Sequence, residues 1–279
     1  MKAVRSPAEL RASISDWQRQ GLKVGFVPTM GALHEGHLSL VERAKTLADK
    51  VAVSIFVNPT QFGPNEDFTR YPRQEAADQA LLEGAGGDLV YLPDMAAMYP
   101  QGFATSITVA HVSEGLCGAC RPGHFSGVAT VVAKLLLQGL PDLAVFGEKD
   151  YQQLQVIRRL VLDLDIPVRI VGAPTLRESD GLAKSSRNAY LTSEERAIAP
   201  RLFQALTEAA VSLRAGLPAG QACLQASQSL LRAGFAKVDY IELRDAQSLE
   251  PVDHPTAPAR ILAAAWLGRT RLIDNLPVC

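Results

Sequence analysis

The chain has 279 residues, 47 % of them hydrophobic and 20 % charged, with a formal net charge of −1. That length holds one large or two unequal domains with a real core, and the composition is ordinary for a soluble globular protein. The even charge excludes a global field that would attract nucleic acid or an anionic membrane, so any positive patch has to be local.

In chain order, residues 23–27 read as a buried strand, 37–48 as a helix by period, 51–57 as a strand, 74–82 as a helix and 88–92 as a strand. Within 126–137, Val128, Val131, Val132, Leu135 and Leu136 recur at helical spacing, the mark of a stripe facing a core. A strand at 144–146 runs directly into a helix at 151–164, and 168–171 reads as a further strand. Such alternation predicts an α/β fold: a parallel, Rossmann-like sheet with helices on both faces. Residues 177–192 then turn polar, rich in Ser, Arg, Asp and Gly. Two helical segments follow, at 193–215 and 219–233, and three β-like runs at 237–244, 260–265 and 271–275. The division expected is a sheet domain over 1–178 and a smaller α+β domain over 179–279. No repeat or low-complexity tract interrupts this order.

MKAVRSPAEL lacks the apolar run of a secretory signal, and Pro or charges break every long apolar stretch before membrane length, so the cytoplasm is the expected compartment. The four cysteines are too few for a disulfide framework in a chain this long. Cys117 and Cys120, in CGAC, could be half a zinc site, a redox motif or free thiols in a loop; the last is the expectation, since Cys223 and Cys279 are distant in sequence.

The chemistry starts at PTMGALHEGH, residues 28–37. It is a strand end, a glycine-bearing loop and a helix start expected near residues 36–37. A helix start after a parallel strand offers backbone N–H groups and the positive end of the macrodipole to an anion. Gly31 and Gly36 permit close approach of a ligand, and His34 and His37, three apart, can face one point. Phosphate is the anion this suits. Two rivals are a metal pair, disfavoured because the zinc-protease helix needs spacing i,i+4, and a purely structural pair of imidazoles. Without further context, Asn58-Pro59-Thr60-Gln61 reads as a turn after a strand, and the charges of Phe146-Gly147-Glu148-Lys149-Asp150 as a solvated strand-end turn.

The 28–37 loop resembles the HIGH motif of the adenylyl-transferring Rossmann superfamily. SIFVNPTQFGPNEDFTRYPR (54–73), RPGHFSGVATVV (121–132), VFGEKDYQQLQVIRRLV (145–161), DGLAKSSRNAYLT (180–192) and AAWLGRTRLIDN near the C-terminus narrow the match. Together they resemble the pantothenate synthetase family nearly end to end. The resemblance implies condensation of pantoate with β-alanine, driven by splitting ATP to AMP and pyrophosphate through a pantoyl adenylate. It implies that Met30, Gly31, Ala32, Leu33, His34, Glu35, Gly36 and His37 lie along ATP, with His37 as proton donor and His34 beside it at the phosphates. Gly147, Glu148, Lys149 and Asp150 would complete the nucleotide site, with Lys149 reaching the phosphates and Asp150 the ribose or adenine edge. Gln61 and Gln153 would clamp pantoate, with Asn58 as a further polar wall and Arg121 closing over the acid together with Tyr71–Arg73. Ser185, Ser186 and Arg187 match the mobile KMSKS-like loop, and Leu176 the position whose backbone reads adenine. An apolar residue is expected before Ser-Ser-Arg; here stands Lys184, which either adds a phosphate contact or points to solvent. His124 could be structural or functional, and Asp78 could favour an incoming ammonium.

Mg²⁺ is expected with ATP, held by phosphate oxygens and water rather than by protein ligands. A homodimer follows from the same resemblance, while the even charge and the broken apolar stretches predict no nucleic-acid or membrane partner. The competing readings are another small-acid adenylyltransferase of the superfamily, or a non-catalytic nucleotide-binding sensor. The sensor would be expected to lose His37, Lys149 or the Ser-Ser-Arg run, and all are present.

Overall fold

The computed structural model describes every residue except Asn65, Asp67 and Thr256; the first two belong to the 54–73 block of the resemblance and lie outside the described residues. The chain forms two compact units. One comprises Met1–Val109, Arg121–Glu148 and Val156–Pro174, the other Ala110–Cys120, Lys149–Gln155 and Thr175–Cys279.

The first unit is built on six strands: β1 (Lys2–Val4), β2 (Val24–Thr29), β3 (Lys50–Ile55), β4 (Leu89–Tyr91), β5 (Leu143–Gly147) and β6 (Arg169–Ala173). Their order is β1-β4-β3-β2-β5-β6, and every pairing is parallel. The helices up to this point are α1 (Pro7–Arg19), α2 (Glu35–Lys45), α3 (Glu75–Gly84), α4 (Met95–Met98), α5 (Leu116–Cys120), α6 (His124–Gly139) and α7 (Tyr151–Asp163).

Alternate strand residues sort to opposite faces. Val27, Val51, Val53, Val90 and Val145 pack with Leu40, Val41 and Ala44 of α2. The intervening Phe26, Ala52, Tyr91, Ala144 and Phe146 are equally buried, and the Tyr91 hydroxyl donates to Gln138 Oε1 of α6 at 3.0 Å. The sheet is therefore covered on both sides, as the unbroken apolar runs of its central strands require.

β1 and α1 add to the expected elements. β1 is too short for periodicity to show. α1 has a readable signal in Ser6-Pro7-Ala8-Glu9, a capping box with Pro at the first helical turn, in which Ser6 Oγ accepts from Glu9 N and the Glu9 carboxylate accepts from Ser6 N.

The second unit holds a three-stranded antiparallel sheet, β7 (Lys237–Asp245), β8 (Ala259–Leu267) and β9 (Thr270–Pro277), in that order. The helices α8 (Ser193–Ile198), α9 (Arg201–Arg214) and α10 (Ala219–Ala233) accompany it. Leu202, Leu206, Leu213 and Leu230 form its core with Ile261, Ala263, Ala265 and Leu272. The single helix expected over 193–215 is corrected to two. Pro200 stands between them and has no N–H to continue the ladder. No helix among the described residues is long and apolar enough to cross a membrane.

Candidate active site

In the first sheet the strand order reverses between β2 and β5, which are neighbours. Ligands of open α/β sheets bind outside the carboxyl ends of the strands at such a switch point. The two segments leaving those ends are the loop after Thr29, which begins at Met30, and the turn that begins at Gly147 and Glu148. The topology thus singles out the same two segments as the motifs.

The loop after β2 is held in an uncommon shape. Gly31 and Ala32 are both left-handed, at φ 79° and 50°. For Ala32 that conformation costs about 1–3 kcal/mol and persists only if something fixes it. Asp78 of α3 does so: Oδ2 accepts from Ala32 N at 3.0 Å and Oδ1 from Leu33 N at 2.8 Å, with the side chain almost wholly buried. Thr29 Oγ1 accepts from Gly31 N at 3.3 Å and donates to Ser54 O at 2.8 Å. A Cβ on Gly31 would lie 2.9 Å from Asp78 Oδ2, so the close approach also requires glycine. Both oxygens of Asp78, which could favour an incoming ammonium, are engaged by the loop backbone.

Asp78→Ala would leave two buried N–H groups unsatisfied, at roughly 1–3 kcal/mol each. The expected outcome is a lower melting temperature and a raised KM for ATP. Asp78→Asn should fare little better, since one end of its amide can only donate. An unchanged KM for ATP in both variants would show that the loop does not need this anchor.

α2 starts at Glu35, earlier than expected, because His34 is its N-cap. His34 Nδ1 accepts from Gly36 N at 3.0 Å, and His37 Nδ1 accepts from His34 N at 3.3 Å. The imidazoles therefore form a reciprocal cap, with ring centroids 4.2 Å apart. A nitrogen that accepts a backbone N–H carries no proton, so the neutral form of each ring bears its proton on Nε2. The structural and functional readings of the pair are compatible: one nitrogen caps, and the other is a hydrogen-bond donor.

A second polar cluster of the same unit surrounds the turn Pro59–Gln61, which follows β3. Asn58 is buried; its Oδ1 accepts from Tyr99 Oη at 2.7 Å and from Thr60 Oγ1 at 3.0 Å. Its Nδ2 donates to Gly127 O and to Gln61 Oε1, each at 3.1 Å. Gln61 Nε2 lies 3.1 Å from Met30 Sδ, so the predicted acid clamp borders the predicted nucleotide loop.

Arg121 does not present an open guanidinium. It is bidentate to Glu66, with Nε to Oε1 and Nη2 to Oε2 both at 2.6 Å, and Nη1 is 2.9 Å from His124 Nε2. The guanidinium expected to close over the acid is braced here by a carboxylate and an imidazole. Tyr71 is buried edge-on to Phe62, and Arg73 stacks on Phe68, so these two are packing residues here.

Burial pushes the Glu66 carboxyl up, but its hydrogen bonds and charge contact with Arg121 outweigh this and hold it below the usual range. A depressed carboxylate stabilises the fold above its unfolded pKa. That contribution is lost as pH falls through the lowered value.

The second unit gathers the other predicted residues. A hairpin-like turn pairs Arg177 with Ala183, and Lys184 N donates to Leu176 O at 3.0 Å, which sets Leu176 against the Ser-Ser-Arg run. Ser185 caps the following short turn, its Oγ accepting from Arg187 N at 3.3 Å, and Asn188 Nδ2 ties the run to Ala183 O at 3.1 Å. Lys184 Nζ is 3.2 Å from Glu178 Oε2, with the side chain only 18 % exposed; the solvent-pointing alternative is corrected to an ion pair.

Two consecutive residues of β9 organise this unit. Asp274, buried, takes the Arg177 guanidinium at 2.6 and 2.9 Å, and Asn275 Nδ2 donates to Lys149 O at 3.0 Å. Lys149 Nζ lies 3.8 Å from Asp150 Oδ2. Gln153 is half-buried, whereas Gln152 is fully committed, accepting from Cys117 N at 3.0 Å and donating to Val112 O at 3.2 Å.

The CGAC segment is the short helix α5 rather than a loop. Cys117 is buried, with Sγ 3.1 Å from Tyr240 Oη and 3.4 Å from Arg271 Nη1, and Cys120 is exposed. Both thiols are free, and the described residues hold no group of three or more His, Cys, Asp or Glu that could bind a metal.

Comparison with known proteins bears on the whole chain. Residues 2–277 match the family described as Pantoate-beta-alanine ligase. The pantothenate synthetase of Paramagnetospirillum magneticum is 66 % identical over 275 residues, covering 99 % of this chain and 97 % of that protein. That of Rhodospirillum rubrum is 58 % identical over 275 residues, at 98 % of each. The crystal structure of pantothenate synthetase from Thermus thermophilus superposes with a TM-score of 0.94 at 48 % identity, over 100 % of this chain and 99 % of that one. The pantoate-beta-alanine ligase of Francisella tularensis, complexed with beta-gamma ATP and beta-alanine, gives 0.84 at 37 %, over 100 % and 98 %. With sequence and fold alike matched end to end, the chain belongs to the pantoate-beta-alanine ligase family.

Proposed function

We propose that this chain condenses pantoate with β-alanine at the expense of ATP, giving pantothenate, AMP and pyrophosphate. The observation that carries the reading is the Gln61 amide set 3.1 Å from Met30, an uncharged acid-reading group at the edge of the nucleotide loop. A phosphorylated substrate would call for Arg or Lys at that place.

In the first step a pantoate carboxylate oxygen attacks the α-phosphorus and the bond to pyrophosphate breaks. In the second, the β-alanine amine attacks the acyl carbon of the pantoyl adenylate, and AMP leaves with the former carboxylate oxygen. A carboxylate is already a nucleophile at neutral pH, so the first step needs charge neutralisation more than proton transfer. His37 and His34 supply Nε2–H donors to the triphosphate, with Lys149, Lys184, Ser185, Ser186 and Arg187 as its other ligands. Leu176 and Asp150 hold the adenosine. Gln61 and Gln153, neutral amides, hold pantoate without trapping its carboxylate in a salt bridge.

Mg²⁺, bound with ATP through phosphate oxygens and water rather than a protein cage, would supply further positive charge at the phosphates. In this reading residues 1–178 bind ATP and pantoate, and 179–279 carry the KMSKS-like loop. The protein acts in the cytoplasm as a homodimer, which sedimentation would test. The decisive assay supplies ATP, pantoate and β-alanine and follows AMP. AMP formation that needs both acids is expected; AMP released without them, or equally from an unrelated acid, would overturn the reading.

A further inference from the structure

We infer that His124 is a positioning residue for Gln61, and that Glu66 and Arg121 hold it in the one tautomer this task needs. The inference rests on the reading of Gln61 as the residue that meets the acid.

His124 is buried in the first turn of α6. Its Nδ1 is 2.8 Å from the Gln61 carbonyl oxygen, and its Nε2 is 2.9 Å from Arg121 Nη1. A carbonyl can only accept and a guanidinium can only donate. Nδ1 therefore carries the proton and Nε2 the lone pair. A doubly protonated ring would set an N–H against the guanidinium. The bidentate Glu66 carboxylate neutralises Arg121 and fixes its plane, so that Nη1 stays aimed at the ring. The chain Glu66, Arg121, His124 thus ends on the Gln61 carbonyl, which takes the short His124 bond and a longer one from Arg121 Nη2 at 3.5 Å.

The Gln61 side chain is fixed from its other end. Asn58 Oδ1 takes the Tyr99 and Thr60 hydroxyls, and Asn58 Nδ2 must then face Gly127 O and Gln61 Oε1. With Oε1 engaged as acceptor, the Gln61 amide is oriented with Nε2 on the Met30 side. The residue is held so that it offers an N–H donor, which matches an anionic or hydroxyl oxygen of the acid and mismatches a donor. Backbone held by His124 and side chain oriented by Asn58 make one preorganised group.

The test compares His124→Asn, His124→Gln, Glu66→Gln and Gln61→Ala by steady-state kinetics in each substrate. The Asn amide nitrogen falls near Nδ1 and can keep the bond to Gln61; the Gln amide reaches toward Arg121 and cannot. His124→Gln should raise the KM for pantoate about tenfold, the loss of one well-placed hydrogen bond, with KM for ATP unchanged. His124→Asn should recover most of it. Glu66→Gln should shift the pantoate KM in the same direction by roughly threefold, and it carries the test if the His124 variants do not fold. Equal pantoate KM values in His124→Asn and His124→Gln, or an unchanged value in Glu66→Gln, would overturn the inference while a raised value in Gln61→Ala leaves the acid-clamp reading standing. An unchanged pantoate KM in Gln61→Ala would overturn that reading itself.

Discussion

Replacing His37 by alanine should lower turnover by about 10²–10³-fold, the usual loss when one preorganised donor to a charged transition state is removed. In the proposed mechanism the cap is what makes His37 such a donor. Its Nδ1 accepts the His34 N–H, so the ring holds its proton on Nε2 and can only donate from there. Alanine also removes the capping contact, at a cost of about 1 kcal/mol of stability. His37→Asn separates the two effects, since its carbonyl can replace Nδ1 as the acceptor while nothing replaces Nε2. A melting temperature close to that of the unaltered protein, with turnover as low as in His37→Ala, is the expected result for His37→Asn. Near-normal turnover in either variant would remove His37 from the chemistry.

Gly127→Ala should be the most damaging methyl group that could be added near the proposed acid site. An ideal Cβ there would lie 2.7 Å from Gln61 N, and the Thr60 carbonyl is nearer still. The obstacle is backbone on both sides, so α6 and the Pro59–Gln61 turn must move apart; forcing one methyl into a packed contact costs about 1–3 kcal/mol. The movement would also break the bond from Asn58 Nδ2 to Gly127 O that orients Gln61. A lower melting temperature, a raised KM for pantoate and an unchanged KM for ATP are expected together. Gly84→Ala in α3 is the control, since nothing lies within 4 Å of the added carbon. Comparable losses in the two variants would show that the effect is not local to the turn.

The alternation of apolar runs and helical stripes is enough to read a parallel sheet, because both its faces are buried and its strands are near-continuously apolar. The loop at 28–37 is legible for a similar reason: glycines and imidazoles after a strand are a local pattern with a local cause. What stays hidden is long-range. Asp78 is 45 residues from Leu33 and looks like any acid on a helix surface, yet it anchors the loop. Arg121 has the composition of an anion clamp, and only the fold reveals Glu66 as its anion. Lys184 acquires its partner Glu178 through a turn whose pairing no periodicity announces. The assignment of 110–120 and 149–155 to the C-terminal unit has no signature either, since compactness is a property of tertiary contacts. The break at Pro200 and the cap at Ser6 are readable, and both follow from elementary backbone chemistry.

Asp274 and Asn275 give the second unit a dependence on the order of synthesis. A ribosome makes the chain from its N-terminus, and domains fold as their residues emerge. The loop after β2 and its anchor Asp78 can meet long before translation nears its end. Lys149 and Arg177 must wait for their partners through another hundred residues or so, because those partners sit on the last strand of the antiparallel sheet. A nascent chain stalled before β9 would therefore hold the imidazole loop already anchored by Asp78 while Lys149 and Arg177 still lacked the partners that β9 supplies.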